Sequence, residues 1–177
     1  LHKRHQRLMD LLDESGASLH VLFLRLTLRD DIAEDLMQEL MIKLSASPRF
    51  ERVENYRFYA RKAAINLAFD WRRRQKRQNV PLEMLAQTAC SEDTPAGELI
   101  RREELEEVLE AIGRLDKPGR DVIVMRYIEQ RAYDDIARRL GMTSHHIRAL
   151  CHRARQRLKD ILSRSSLDKY GRGDGDV

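Results

Sequence analysis

The sequence predicts an all-α protein made of two small helical modules joined by a flexible linker. Three observations carry this. Gly and Pro number only 8 and 4 in 177 residues and aromatics make up 6%, too few for the closely spaced turns of a sandwich or barrel. Leucine and other apolar residues recur at three- and four-residue steps over most of the chain, the period of an amphipathic helix. Between residues 81 and 97 that period fades into a polar, acidic stretch containing Ser91-Glu92-Asp93-Thr94-Pro95, which suits a tether rather than a core. The predicted boundaries are a first module over 1–79, a linker over 80–97, a second module over 98–163 and a disordered tail over 164–177.

Along the chain, Leu8, Leu11, Leu12, Leu19, Leu22, Phe23 and Leu26 predict a first helix over about 2–28 with an interruption near Gly16. Asp30 or Asp31 can cap a second helix that buries Ile32, Leu36, Leu40 and Leu44, a strict i, i+4 series. It ends before Ser47-Pro48, because proline disfavours helical geometry at the residue before it, and a loop over 47–54 comes next. A third helix spans about 55–77, with Phe58, Ala64, Ile65, Ala68 and Phe69 on its buried side, and stops at Val80-Pro81. A short turn can form at 82–85. The second module opens near Glu98 with a helix carrying Leu99, Leu105, Val108, Leu109 and Ile112, and breaks at 115–119. A helix over 121–129 buries Val122, Ile123 and Met125 or Tyr127; a short one over 133–140 ends at Gly141. Thr143 or Ser144 caps the last, which carries Ile147, Leu150, Cys151, Ala154, Leu158, Ile161 and Leu162.

The net charge of +4 is a sum of opposites. Residues 1–79 hold 16 basic and 11 acidic side chains, 80–104 hold 2 and 6, and 105–177 hold 15 and 12. Residues 56–79 carry Arg57, Arg61, Lys62, Arg72, Arg73, Arg74, Lys76 and Arg77 against Asp70 alone. Residues 148–164 carry Arg148, Arg153, Arg155, Arg157, Lys159 and Arg164 against Asp160 alone. Two such runs are the footprint of a polyanion partner. An opposite cluster, Asp30, Asp31, Glu34, Asp35 and Glu39, would repel nucleic acid and suits a protein partner.

The spacing of Ala137, Gly141 and Ile147 is the pattern of a helix-turn-helix, with a small residue at the close approach, glycine in the turn and a β-branched residue packing the second helix back. A basic helix comes after it, as insertion into a major groove requires. Asp134-Asp135-Ile136-Ala137-Arg138-Arg139-Leu140-Gly141-Met142-Thr143, Ile147-Arg148 and His152-Arg153-Ala154-Arg155-Gln156-Arg157-Leu158 resemble region four of bacterial sigma factors of the extracytoplasmic-function type. Asp121-Val122-Ile123-Val124-Met125-Arg126-Tyr127 resembles the stretch before it. Ala33-Glu34-Asp35-Leu36-Met37-Gln38-Glu39 is similar to the core-polymerase-binding segment of region two, and Ala64-Ile65-Asn66-Leu67-Ala68-Phe69-Asp70-Trp71-Arg72-Arg73-Arg74 to its minus-ten recognition helix. The likeness covers about residues 5–162, in order.

The resemblance implies a dissociable promoter-specificity subunit of RNA polymerase, not an enzyme, acting in the bacterial cytoplasm. Residues 1–79 would be region two and 98–163 region four. Asp35, Gln38 and Glu39 would dock on the coiled-coil clamp of the β′ subunit, with the β flap as the second polymerase contact. Tyr56, Arg61, Lys62, Asn66, Arg72, Arg73 and Arg74 would meet the minus-ten element, Asn66 standing where the family places a polar pocket residue and Phe50, Tyr56 and Tyr59 offering stacking surfaces. Ser144, His145, His146, Arg148 and Ala149 would read bases of the minus-thirty-five element, with His152, Arg153 and Arg155 on phosphates or packed. An anti-sigma factor is a further implied partner. The chain departs from the family at Leu150, where many members carry Arg, and at His145 and His146, where small or polar residues are usual, so the minus-thirty-five sequence is not inherited from relatives.

Other readings explain less. A stand-alone helix-turn-helix regulator leaves the 35–39 and 66–74 segments without a role, and an interaction adaptor leaves the two cationic runs without one. A zinc site from His145, His146, Cys151 and His152 fails on spacing: positions 145 and 152 lie about 10 Å apart along a helix, too far for one ion. Cys151 suits a small buried hydrophobe and Cys90 an exposed linker thiol. No cofactor, metal or small-molecule substrate is expected. With no apolar run near the roughly 18 residues of a membrane span and no secretory segment, a soluble intracellular protein is expected, with no membrane insertion.

Overall fold

The computed structural model describes residues 2–77 and 95–170. The chain divides into two compact units, Leu1–Cys90 and Ser91–Val177. Every regular element among the described residues is helical.

In the first unit α1 (His2–Thr27) packs along α2 (Asp30–Ala46) and α4 (Tyr56–Arg77), α2 packs on α4, and α3 (Pro48–Arg52) rests against α1 and α4. The core is the leucine stripe of α1 (Leu11, Leu19, Leu22, Phe23, Leu26), the series Ala33, Leu36, Leu40 and Leu44 of α2, Phe50 of α3, and Ala60, Ala64, Ile65, Leu67, Ala68 and Phe69 of α4. Ala60, Ala64 and Ala68 form one i, i+4, i+8 row, all fully buried, and their small side chains let α4 come close to its neighbours.

The structure corrects several expectations in this unit. Helix α1 runs unbroken through Gly16, because a mid-helix glycine costs only about 1 kcal/mol and α1 is held by packing on both sides. Ile32 is only half-buried and Ala33 takes its place inside. Arg29, not an aspartate, occupies the N-cap of α2 and makes no side-chain cap; Asp30 and Asp31 stand in the first turn, where their charge still suits the helix dipole. The loop at 47–54 contains α3, capped by Ser47, whose Oγ accepts the Phe50 N–H at 3.3 Å, and opened by Pro48. The buried Phe50 ring anchors that short helix, and Asn55 caps α4 by accepting the Phe58 N–H at 3.0 Å.

The tight α1–α2 corner puts Leu28 at φ 57. Its strain is offset by local bonds: the fully buried Thr27 hydroxyl lies 2.9 Å from the Phe23 carbonyl and accepts the Arg29 N–H at 3.3 Å, and Arg72 of α4 donates to the Leu26 carbonyl at 3.1 Å.

In the second unit α8 (Ser144–Tyr170) is the spine, packed by α5 (Pro95–Gly113), α6 (Lys117–Ile123) and α7 (Tyr133–Leu140). Leu109, Ile112, Leu115, Val122 to Met125, Ile136, Ala137, Ile147, Cys151, Ala154 and Ile161 fill its core. The predicted break at 115–119 is shorter than expected, since α6 starts at Lys117 with Pro118 in its first turn. Gly119 is buried there; a Cβ on it would lie 3.3 Å from the Ala154 Cβ and 2.6 Å from Asp116 Oδ1. Residues 124–128 form a π turn, closed by the Glu129 N–H on the Val124 carbonyl at 3.0 Å. Val124 and Met125 at its start are buried, and Tyr127 within it is exposed, so of the two predicted alternatives Met125 is the inward one.

Helix α5 begins three residues earlier than predicted, and Leu99, Leu105 and Val108 are exposed while Leu109 and Ile112 are buried. Helix α8 passes residue 164 and ends at Tyr170, so the first part of the expected disordered tail is helical. No glycine or proline interrupts 144–170, and Ser165 donates to Glu107 of α5 at 3.0 Å. The predicted linker up to residue 94, its turn at 82–85, Cys90 and the tail beyond 170 lie outside the described residues.

Gly141 closes α7 at φ 65, and the Met142 N–H returns to the Ala137 carbonyl at 3.0 Å, the bonding of a left-handed helix end. Nothing lies within 4 Å of a Cβ placed there, so substitution meets backbone strain and no clash. Gly141→Ala is expected to destabilise the protein by about 1 kcal/mol, read as a lower urea midpoint with an unchanged slope.

Candidate nucleic-acid interfaces

Helix α4 sorts its cations by face. Lys62, Asn66 and Arg73, spaced i, i+4 and i+11, share the side opposite the alanine row, with Tyr59 and Asp70 along its edge. Arg73 is ion-paired to Asp70, as a surface partner of that acid, and the Lys62 Nζ lies 5.9 Å from the Phe58 ring centre. Arg61 and Arg72, eleven residues apart, fall together on the packed side and are half-buried. Arg72 spends one guanidinium nitrogen on the Leu26 carbonyl, so it ties α4 to the end of α1. Arg74 is exposed and reaches Glu39 of α2 at 3.8 Å, a contact worth little at that exposure.

An aromatic cluster stands at the N-terminus of α4. Phe50 meets Tyr56 edge-on at 5.9 Å between ring centres and Tyr59 at 6.3 Å, and the hydroxyls of Ser47 and Tyr59 are 3.3 Å apart. Phe50 is fully buried, which removes it as a stacking surface; Tyr56 and Tyr59 are half-buried. Two guanidinium groups stand near the Tyr56 ring, Arg7 at 5.2 Å and Arg57 at 5.6 Å from its centre. Phe58 is half-buried rather than core, whereas Phe69 is buried. Sequence reasoning does not single out Arg7 and Arg57 as neighbours of Tyr56; Arg7 is 49 positions away, and no helical period links the two.

On α2, Asp35, Gln38 and Glu39 are exposed while the neighbouring Leu36 and Leu40 are buried, so the three polar groups form one outward face. Ile42, 69% exposed, continues that face one turn on and had a readable signal, the 35–38–39–42 spacing.

The α7–α8 pair has the predicted geometry, with Ala137 and Ile147 buried at the contact and Gly141 between them. Thr143 Oγ1 accepts the His146 N–H at 3.2 Å, and Ser144 donates to Asp134. Opposite the buried row Ile147, Cys151 and Ala154, helix α8 presents His145, Ala149 and His152, a row that Gln156 extends. Arg148 and Arg155 flank this row on one side, and His146 and Arg153 on the other. All are exposed except Ala149, which like Ser144 is half-buried. Leu150 is half-buried and lies off this face. The Tyr133 ring takes Arg126 at 4.8 Å and Arg148 at 5.6 Å, while its hydroxyl points to Cys151 Sγ at 3.8 Å. Tyr133 thus orients the Arg148 guanidinium.

Among the described residues no group of three or more His, Cys, Asp or Glu side chains could hold a metal ion, and no helix is long and apolar enough to cross a membrane.

Comparison with known proteins yields two family matches, "Sigma-70 region 2" over residues 12–78 and "Sigma-70, region 4" over residues 105–158. The RNA polymerase sigma-E factor of Streptomyces coelicolor is 30% identical over 139 residues, which cover 77% of this chain and 75% of that protein. The sigma-E factor of Streptomyces antibioticus is 28% identical over 139 residues, covering 77% of this chain and 73% of its own. The sigma factor RpoE, solved in complex with the anti-sigma factor NepR from Bartonella quintana, is 22% identical with a TM-score of 0.49, covering 92% of this chain and 98% of that one.

Asp135, at the start of α7, gathers three arginines: Arg131 and Arg139 at 3.1 Å and Arg138 at 3.7 Å. Burial alone would raise this carboxyl, but the hydrogen bonds from Arg131 and Arg139 outweigh it and hold it below its ordinary value. A lowered folded value means stability that is present above the unfolded value, near 4, and lost as pH falls through the folded one. Asp135→Asn is therefore expected to be less stable than the parent at pH 7, with the difference closing below about pH 4; urea midpoints across that range measure it, and a gap that ignores pH would contradict the arrangement.

Proposed function

The chain belongs to the sigma-70 family of RNA polymerase sigma factors, in its extracytoplasmic-function group, and from this membership we propose which of its surfaces carries out each step. As a sigma factor it binds core polymerase and directs transcription initiation at promoters by recognising minus-ten and minus-thirty-five elements; it is not an enzyme itself. The carrying observation is the pair of matches on one chain, region 2 ahead of region 4, because a stand-alone regulator needs only the second.

The outward acidic face of α2, Asp35, Gln38 and Glu39 with Ile42, is the proposed contact for the polymerase clamp. Its charge opposes that of the DNA-facing helices, and an exposed isoleucine within a charged face suits a protein partner. The outer face of α4 is the proposed minus-ten surface, with Lys62 and Arg73 for phosphates and Asn66 for a base edge; Tyr56, at the N-terminus of α4 and in line with the alanine row rather than on that face, is proposed for stacking beside it. Arg74 stands at the rim of that face, while Arg61 and Arg72 support it from the packed side. For the minus-thirty-five element, Ser144, His145, Arg148, Ala149 and His152 are the proposed base readers, and His146, Arg153 and Arg155 grip the flanking backbone. Cytoplasmic action, β′ clamp and β flap contacts, and control by an anti-sigma factor are proposed from family membership.

Two experiments test this. Transcription in vitro with purified core enzyme on a genomic promoter library is expected to give start sites that depend on the protein; absence of both core binding and such starts would sink the reading. Arg148→Ala should cost about tenfold in minus-thirty-five discrimination, the scale of one lost base contact, with core binding unchanged. Loss of core binding instead would show the surfaces misassigned.

A further inference from the structure

The turn that precedes α4 is capped by Ser47 and anchored by the buried Phe50 ring, but its own helical bonding is slight. Helix α3 is five residues long, far below the length at which a helix is stable alone. Its last carbonyls point away from any further helical turn, so they must find donors elsewhere. They find one donor in common. Arg7 Nη1, from the second turn of α1, lies 2.9 Å from the Phe50 carbonyl, 2.8 Å from that of Glu51 and 2.9 Å from that of Val53. Its two hydrogens serve three acceptors, gathering the α3 end and the residues leading to Asn55 around one nitrogen.

The same guanidinium has a second contact of a different kind, over the ring of Tyr56 at 5.2 Å from its centre. Arg57 is within reach of the ring at 5.6 Å and Phe50 meets it edge-on at 5.9 Å. Tyr56 is thus held by three neighbours, and Arg7 alone among them also fixes the backbone that delivers it. Arg7 is half-buried and lies ahead of residues 12–78, the span matched to region 2.

We propose that Arg7 is the positioning residue of the minus-ten surface: by gathering the three carbonyls of the α3 turn and seating the Tyr56 ring, it presets the stacking surface for an unpaired base. The proposal rests on the assignment of Tyr56 and the α4 face to the opened minus-ten strand. Arg4, one turn earlier on α1, is the natural control. It donates to the Ser45 carbonyl and to Glu51, each at 2.9 Å, and so ties α1 to α2 and α3 without touching Tyr56. A planar guanidinium can span several carbonyls and lie on a ring at once; a lysine ammonium cannot.

The test uses holoenzyme reconstituted with core polymerase. The probe is the single-stranded nontemplate minus-ten segment of a promoter mapped by transcription in vitro, with 2-aminopurine replacing one base so that unstacking is read as fluorescence. Arg7→Ala and Arg7→Lys are expected to lose about tenfold in affinity for this strand, as the loss of one preset contact would give, and most of the fluorescence rise. Core binding should stay within about twofold of the parent, and Arg4→Ala should bind the strand as the parent does. The proposal is overturned if Arg7→Ala binds the strand normally, if it loses core binding in equal measure, or if Arg4→Ala is as damaging. Should the parent holoenzyme itself not bind the strand, the assignment of this face falls, and the role of Arg7 with it.

Discussion

Close approach between helices is the constraint on which both units depend. Each has only a small core, so backbones must come near one another to exclude water from it. In the first unit the approach is made by Ala60, Ala64 and Ala68, all fully buried on α4. In the second it is made by Gly119 beneath Ala154 and by Ala137 at the helix-turn-helix contact. A larger side chain at any of these positions would push outward the helix whose opposite face is the proposed DNA surface. The small residues therefore set the placement of Asn66 and of His145 as directly as they set stability.

Arginine serves two purposes in this chain, and the structure separates them. Some arginines close helix ends and corners: Arg72 at the end of α1, Arg7 and Arg4 around α3, and Arg131 and Arg139 on Asp135. Others, Arg73, Arg148, Arg153 and Arg155 among them, stand on outward faces suited to phosphates or bases. The net charge of +4 therefore measures neither role. A fold of short, polar helix ends uses guanidinium forks as internal fasteners, since each can satisfy several carbonyls that no neighbouring backbone reaches.

Much of the architecture was legible in the sequence because it rests on period and punctuation. The leucines of α1 and α2, the break at Pro48 and the Ala137, Gly141, Ile147 spacing each act locally, and the helices found agree with them. The features that were not legible depend on contacts far apart in the chain. Helix α3 exists because Phe50 finds a core and its carbonyls find Arg7, neither of which a five-residue window reveals. Of the two alternatives Met125 and Tyr127, Met125 is the one buried, but the π turn at 124–128 and the burial of Val124 beside it are not anticipated by a uniform helical period. At the candidate site the outward row on α8 was readable from spacing, whereas the split of the α4 arginines needed the packed side to be known. Arg61 and Arg72 share that side by an eleven-residue step easily lost within a basic run.

The proposed surfaces divide the labour, with the outer face of α4 on unpaired minus-ten DNA and the outer face of α8 on duplex minus-thirty-five DNA. Photocrosslinking tests this division most directly, with a benzoylphenylalanine placed at Asn66 or at Ala149 in holoenzyme bound to a mapped promoter. The Asn66 probe is expected to mark the nontemplate strand near minus ten only once the DNA has opened, and the Ala149 probe to mark the minus-thirty-five duplex before and after opening. Crosslinks from both positions to the same element, or from Asn66 to closed duplex alone, would contradict it.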